Sequence, residues 1–152
     1  MKLPVLRLPH ANDLPLPTYA TEGSAGLDLL AAVNAEVELS PGGRELVPCG
    51  IAVALPPGFE AQVRPRSGLA LHNGITLLNA PGTIYSDYRG EIKATLINHG
   101  DTVFRITRGM KIAQLVIARH ETAELDEVAE LPASRRGAGG FGSTGMTGKP
   151  HA

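Results

Sequence analysis

Apolar positions in this chain fall in short runs, three to eight residues long, cut apart by Gly and Pro. The runs predict strands at Val5–Leu8, Gly26–Leu30, Val37–Leu39, Glu45–Val47, Ile51–Leu55, Phe59–Arg64, Gly74–Leu78, Glu91–Asn98, Thr102–Ile106 and Lys111–Ala118. Turn signals stand between them: Ser40-Pro41-Gly42-Gly43, Pro56-Pro57-Gly58, Ala80-Pro81-Gly82, His99-Gly100-Asp101 and Arg108-Gly109. With 18 Gly and 12 Pro, few stretches can sustain a helix. Many short strands at regular spacing predict an all-β domain: a β-sandwich, jelly roll or barrel. Lys111–Ala118 is largely apolar on both faces, which predicts an internal strand. Ser67–His72 has room for one helical turn. Glu121–Leu131 is ambiguous: the spacing of Leu125, Val128 and Leu131 favours a short helix, and an acidic linker fits as well.

Composition narrows the class. A chain of 152 residues makes one domain able to bury about two-thirds of its unfolded surface. The net charge of −1 gives no basic field for nucleic acid or an anionic membrane, so neither is an expected partner. No apolar run approaches the roughly 20 residues of a membrane span, and Met1-Lys2-Leu3-Pro4 opens no signal peptide. Cys49 is alone, so no intrachain disulfide can form, and a reducing cytoplasm is expected. Trp is absent and aromatics are scarce, leaving Val, Ile, Leu and Ala to build the core.

Candidate chemistry lies in five segments. The last, Arg135-Arg136-Gly137-Ala138-Gly139-Gly140-Phe141-Gly142-Ser143-Thr144-Gly145, combines mobile backbone N–H groups, two guanidinium forks and two hydroxyls, all suited to phosphate. Phe141 has no apolar neighbours, and its ring suits stacking on a nucleobase. Two readings fit this tail: a phosphate-and-base clamp, or a disordered Gly-rich end. Asp28 is a carboxylate within the apolar run Gly26-Leu27-Asp28-Leu29-Leu30, so it needs a partner, a cation or a turn amide. Pro65-Arg66-Ser67-Gly68 follows a strand and offers N–H groups beside a guanidinium. Asn79-Ala80-Pro81-Gly82-Thr83-Ile84-Tyr85-Ser86-Asp87-Tyr88-Arg89-Gly90 reads as a hairpin joining Ile75–Leu78 to Glu91–Asn98, able to present backbone groups to a pyrimidine edge. Gln114 is an amide in an apolar strand, either a satisfied core group or a holder of phosphate or metal-bound water. No His cluster has metal-ligand spacing.

In this order and register, the five segments resemble the five motifs of the trimeric dUTPase family, from about Ser24 to Gly145. The resemblance implies a distorted β-barrel or jelly roll assembled as a homotrimer, with a body over 1–132. It also implies a Gly-rich arm over 133–152 that closes over a neighbouring subunit's active site, and it favours an extended Glu121–Leu131. The implied activity is Mg²⁺-dependent hydrolysis of dUTP to dUMP and diphosphate, which keeps uracil out of DNA and supplies dUMP. By the same resemblance, Asp28 and Gln114 hold the hydrated metal or the phosphates, and Arg66, Ser67 and Gly68 bind the phosphate chain. Asn79, Thr83, Ile84 and the backbone near Lys93 line the uracil pocket, while Tyr88 packs on deoxyribose and excludes a 2′-hydroxyl. Arg136, Phe141, Gly142, Ser143 and Thr144 form the closing clamp.

One position departs from the pattern. The family's third motif usually reads Gly-x-Ile-Asp-x-x-Tyr, its Asp orienting the attacking water; here Tyr85 stands in that place. A phenol has a pKa of about 10 and makes a poor general base at neutral pH. Asp87, two residues on, would share the side of Tyr85 if the segment is a strand, and is the candidate substitute. The expectation is therefore a dUTP diphosphatase with reduced turnover. The alternatives are a weak or inactive dUTP-binding protein, acting as sensor or substrate trap, and a relative of dCTP deaminase, which shares the fold.

Overall fold

Most of the expected short runs become short strands in the computed structural model, which describes residues 1–143 and 146–148. Among the described residues the strands are β1 (Val5–Arg7), β2 (Gly26–Leu30), β3 (Val37–Leu39), β4 (Arg44–Pro48), β5 (Ile51–Val53), β6 (Phe59–Arg64), β7 (Ile75–Leu77), β8 (Gly82–Ile84), β9 (Lys93–Asn98), β10 (Phe104–Ile106) and β11 (Lys111–Arg119). One helix, α1 (Ser67–Asn73), and a 3₁₀ turn at Pro9–Ala11 complete the described elements. Several predicted strands overshoot. Leu55 and Ile92 are buried, yet both lie just outside a ladder; the apolar pattern reported burial, not pairing.

The strands form a four-stranded sheet in the order β2-β11-β6-β8, a three-stranded sheet β4-β9-β7, and two pairs, β1-β5 and β10-β3. Every pairing is antiparallel. This is the expected all-β architecture, with β11 inside its sheet. Leu29, Ile75, Ile92, Leu96, Ile106, Ile112 and Leu115 are almost fully buried at its centre, each contributing about 1.5–3 kcal/mol of transfer free energy. Gly50 has φ +71, and a Cβ there would stand 2.2 Å from the Ala11 Cβ. Gly50→Ala is therefore expected to cost about 2–4 kcal/mol, read as a fall in the urea unfolding midpoint.

One expectation is corrected by the strand pairing. The segment between β7 and β9 is more than a hairpin turn. β7 and β9 do pair, Ile75 opposite Asn98 and Leu77 opposite Leu96, but the chain between them crosses to the other sheet. There β8 pairs with β6, Gly82 opposite Val63 and Ile84 opposite Ala61. A three-residue strand directly after Ala-Pro-Gly hides behind its own turn signal. Of the two readings of Glu121–Leu131, the helix is absent and the extended one, which the family resemblance favours, stands: Leu125, Val128 and Leu131 are 93%, 51% and 80% exposed. Propensity without burial does not hold so short a helix.

The chain divides into two units, Met1–Thr122 and Ala123–Ala152. The first carries all the strands and α1; the second has neither strand nor helix among its described residues.

Candidate active site

Three strands bring the polar groups of the first unit together. In the ladder Gln114 of β11 stands opposite Asp28 of β2 on one side and Arg64 of β6 on the other, so all three share the sheet's polar face. Asp28 is only 4% exposed and is not left alone. Lys111 Nζ lies 2.7 Å from its Oδ2, Arg66 Nε 3.5 Å from its Oδ1, and Gln114 Nε2 donates to Oδ1 at 3.4 Å. Burial by itself raises the Asp28 pKa. Hydrogen bonds from Lys111 and Gln114, with the charges of Arg66 and Lys111, outweigh it and hold the carboxyl below the usual carboxylate range.

A depressed folded-state pKa adds stability that is present above the unfolded value, about 4, and is lost as pH falls through the folded one. Asp28→Asn is expected to cost about 1–2 kcal/mol at pH 7 and to shallow the loss of stability below about pH 4, as followed by acid unfolding curves.

Arg66 lies just past β6, at the N-cap of α1, and its Nη1 donates to the Lys111 carbonyl at 3.0 Å. That bond ties the second segment to the fourth. Ser67 and Gly68 begin α1 and are exposed, so their N–H groups face water without intrahelical partners.

A pocket of about 440 Å³ is lined by Leu46, Thr83, Ile84, Tyr85, Tyr88, Glu91 and Lys93. It unites four of the expected nucleoside-binding residues, Thr83, Ile84, Tyr88 and Lys93, with Tyr85. Asn79 does not line it; it occupies the turn after β7, its Nδ2 close to Gly82. Asp87 does not line it either. Tyr88 N–H donates to the Tyr85 carbonyl at 3.2 Å, closing a turn, so the strand alternation that put Asp87 beside Tyr85 does not apply.

Sequence reasoning missed Lys111, which reaches Asp28 where the β11 register slips before Ala113. It also missed Glu91, whose Oε1 accepts from His10 Nε2 at 2.8 Å and from Gly50 N–H at 2.9 Å. Partners this far apart in the chain leave no local trace.

In the second unit the arm residues fold into local turns. Arg136 Nε donates to the Gly139 carbonyl at 2.7 Å, and Ser143 N–H donates to the Gly140 carbonyl at 3.1 Å. Phe141 is fully exposed with φ +47, and Gly142 follows at φ +94. Thr144, the remaining clamp candidate, lies outside the described residues, as does Gly145.

A family model described as dUTPase matches residues 12–145, a span that contains all five segments. The chain belongs to the dUTPase family. Two relatives named deoxyuridine 5′-triphosphate nucleotidohydrolase are each 57% identical to it. That of Rhizobium rhizogenes aligns over 146 residues, 95% of this chain and 94% of its own. That of Brucella melitensis biotype 2 aligns over 145 residues, 94% of this chain and 92% of its own. Among solved structures, the Staphylococcus bacteriophage 80alpha dUTPase with dUPNHPP superposes with a TM-score of 0.85 at 25% identity, covering 95% of this chain and 99% of its own. A mutant form of the dUTPase from phage phi11 of S. aureus, described as coordinating a structural Mg(II) ion, has a TM-score of 0.76 at 24% identity, covering 86% of this chain and 98% of its own. The jelly-roll type of β fold is shared with these enzymes. Among the described residues no helix is long and apolar enough to cross a membrane.

Proposed function

We propose that this protein hydrolyses dUTP to dUMP and diphosphate, working in the cytoplasm as a homotrimer whose 133–152 arm closes over a neighbouring subunit's site. One observation carries the reading: a relative named for dUTP hydrolysis matches 95% of the chain at 57% identity. In this reading the 440 Å³ pocket takes uracil against Thr83, Ile84 and the backbone near Lys93, with Asn79 at its margin and deoxyribose against Tyr88. Arg66, Ser67 and Gly68 bind the phosphate chain. Arg136, Phe141, Gly142, Ser143 and Thr144 clamp the nucleotide, the Phe141 ring over the base.

Among the described residues no three His, Cys, Asp or Glu side chains gather at metal-binding geometry. One buried carboxylate beside one amide fits a hydrated Mg²⁺ that arrives on the triphosphate, touched through its waters by Asp28 and Gln114. Bound there, Mg²⁺ would neutralise charge on the diphosphate leaving group. Lys111 and Arg66 keep Asp28 ionised, and Arg66 faces the growing negative charge as the bond to the α-phosphorus breaks.

A second reading is favoured by one feature of the pocket: its single lining carboxylate, Glu91, already accepts two hydrogen bonds on Oε1, and Tyr85 offers a phenol where a base is needed. In that reading the protein binds dUTP and turns it over slowly. The test is calorimetry with dUTP and Mg²⁺, alongside diphosphate release and sedimentation. Trimer mass, binding and chelator-sensitive diphosphate release support hydrolysis. Binding without release supports the second reading, and a flat calorimetric trace or ammonia release from dCTP overturns both.

A further inference from the structure

Glu91 has no part in the reaction as described, yet it joins the pocket to the N-terminal segment. Its side chain is 16% exposed, and one oxygen accepts from both His10 and the Gly50 backbone. His10 is held in turn from behind: Arg108 Nη2 donates to its carbonyl at 2.6 Å, while Arg108 also binds Asp13 and the Val33 carbonyl. On the pocket side, the backbone carbonyl of Glu91 accepts the Tyr88 hydroxyl at 3.0 Å. The ring of Tyr88 lies against Gly90 so closely that a Cβ there would stand 2.3 Å from its hydroxyl. The next residue is fixed as well, Ile92 N–H donating to the Ile51 carbonyl at 2.8 Å.

We propose that Glu91 is a positioning residue for sugar selection, braced by His10 and Gly50 so that its carbonyl holds Tyr88 rigid against a 2′-hydroxyl. The proposal rests on the reading that Tyr88 packs against the deoxyribose. Exclusion of one hydroxyl requires a wall that does not yield, because a shift of about 1 Å would make room for it. Tyr88 is 43% exposed, so its contact with Gly90 and the bond to the Glu91 carbonyl are what hold it. The carboxylate stiffens that carbonyl through a bond from His10 and one from a backbone N–H, both strengthened by its charge. His10 precedes the 12–145 span that the family model matches, so half of the brace is additional to it.

The experiment measures dissociation constants of the full-length protein for the non-hydrolysable imido analogues of dUTP and UTP, by calorimetry with Mg²⁺. These constants do not depend on turnover. The variants are Glu91→Gln, His10→Ala, the double variant, and Tyr88→Ala as the benchmark for sugar discrimination. Glu91→Gln keeps the side chain's shape and an acceptor oxygen and removes the charge. The expected result is a loss of discrimination of about threefold to tenfold in each brace variant, mostly through tighter binding of the ribonucleotide. The double variant should lose no more than Glu91→Gln alone, since His10 acts on the pocket only through Glu91. If Tyr88→Ala loses discrimination while both brace variants retain the parent ratio, Glu91 serves only the fold and the proposal fails. If Tyr88→Ala also retains it, the assignment of Tyr88 to the sugar is what fails, and the proposal falls with it.

Discussion

Tyr85→Asp is expected to raise kcat for dUTP hydrolysis by about 10²–10⁴-fold, the usual worth of a positioned general base. Tyr85 is 67% exposed at the wall of the 440 Å³ pocket, so a shorter side chain there leaves the core undisturbed. Among the described residues, Glu91 is the one carboxylate that lines the pocket. Asp28 is committed to Lys111 and Arg66, Glu91 to His10 and Gly50, and Asp87 sits in the turn closed by Tyr88 N–H. A phenol is almost wholly neutral at pH 7 and takes a proton from water poorly. The effect should fall on kcat with KM changing little, because the substitution supplies an interaction used at the transition state. Steady-state diphosphate release from parent and variant measures it. Tyr85→Phe is the control: an unchanged rate shows that the hydroxyl takes no part in the chemistry. Equal and high rates in parent and Tyr85→Asp would instead show that Tyr85 is no obstacle.

The second large effect is on stability. Asn98→Ala is expected to remove about 3–4 kcal/mol and to lower Tm by roughly 10 °C at fixed protein concentration. Asn98 is completely buried at the end of β9. Its Nδ2 donates to the Leu39 and Thr102 carbonyls, both at 2.8 Å, and its Oδ1 accepts the Gly100 N–H at 2.8 Å. Its main chain binds the Gly42–Gly43 turn, donating to the Gly43 carbonyl and accepting from Gly42 N–H. The side-chain amide therefore ties the β3 end to the β9–β10 loop, while the Asn98 main chain holds the β3–β4 turn. Truncation leaves the Leu39 carbonyl unpaired in the interior, which costs more than its bond was worth, and also removes the part-buried bonds to the Thr102 carbonyl and the Gly100 N–H. Differential scanning fluorimetry reads the change; a Tm within about 2 °C of the parent would show that water enters and heals the gap.

These residues show what local pattern can and cannot reveal. β3 and β6 have the ends expected of them, because their apolar runs are bounded by Gly, Pro or polar residues at the same points. β8 was hidden, since Gly82-Thr83-Ile84 pairs with β6 from the far side of a Pro-Gly turn. The polar cluster was legible in part. Asp28 and Gln114 stand out as polar groups in apolar strands, but Lys111 is an ordinary strand-opening cation until the β11 register slip turns it to Asp28. The bond from His10 to Glu91 spans 81 residues, and no spacing rule reaches that far. Leu125, Val128 and Leu131 carried a helical spacing that no neighbouring surface rewards with burial.

Cys49 lies between β4 and β5 with 4% of its surface exposed, and burial, with the charge of Glu91 adding to it, pushes its thiol up to about 12. At neutral pH it holds almost no thiolate, which is the species that alkylating agents and oxidants attack. Its labelling by such a reagent should thus proceed only when the β4–β5 corner opens. The lone thiol becomes a chemical clock for that opening.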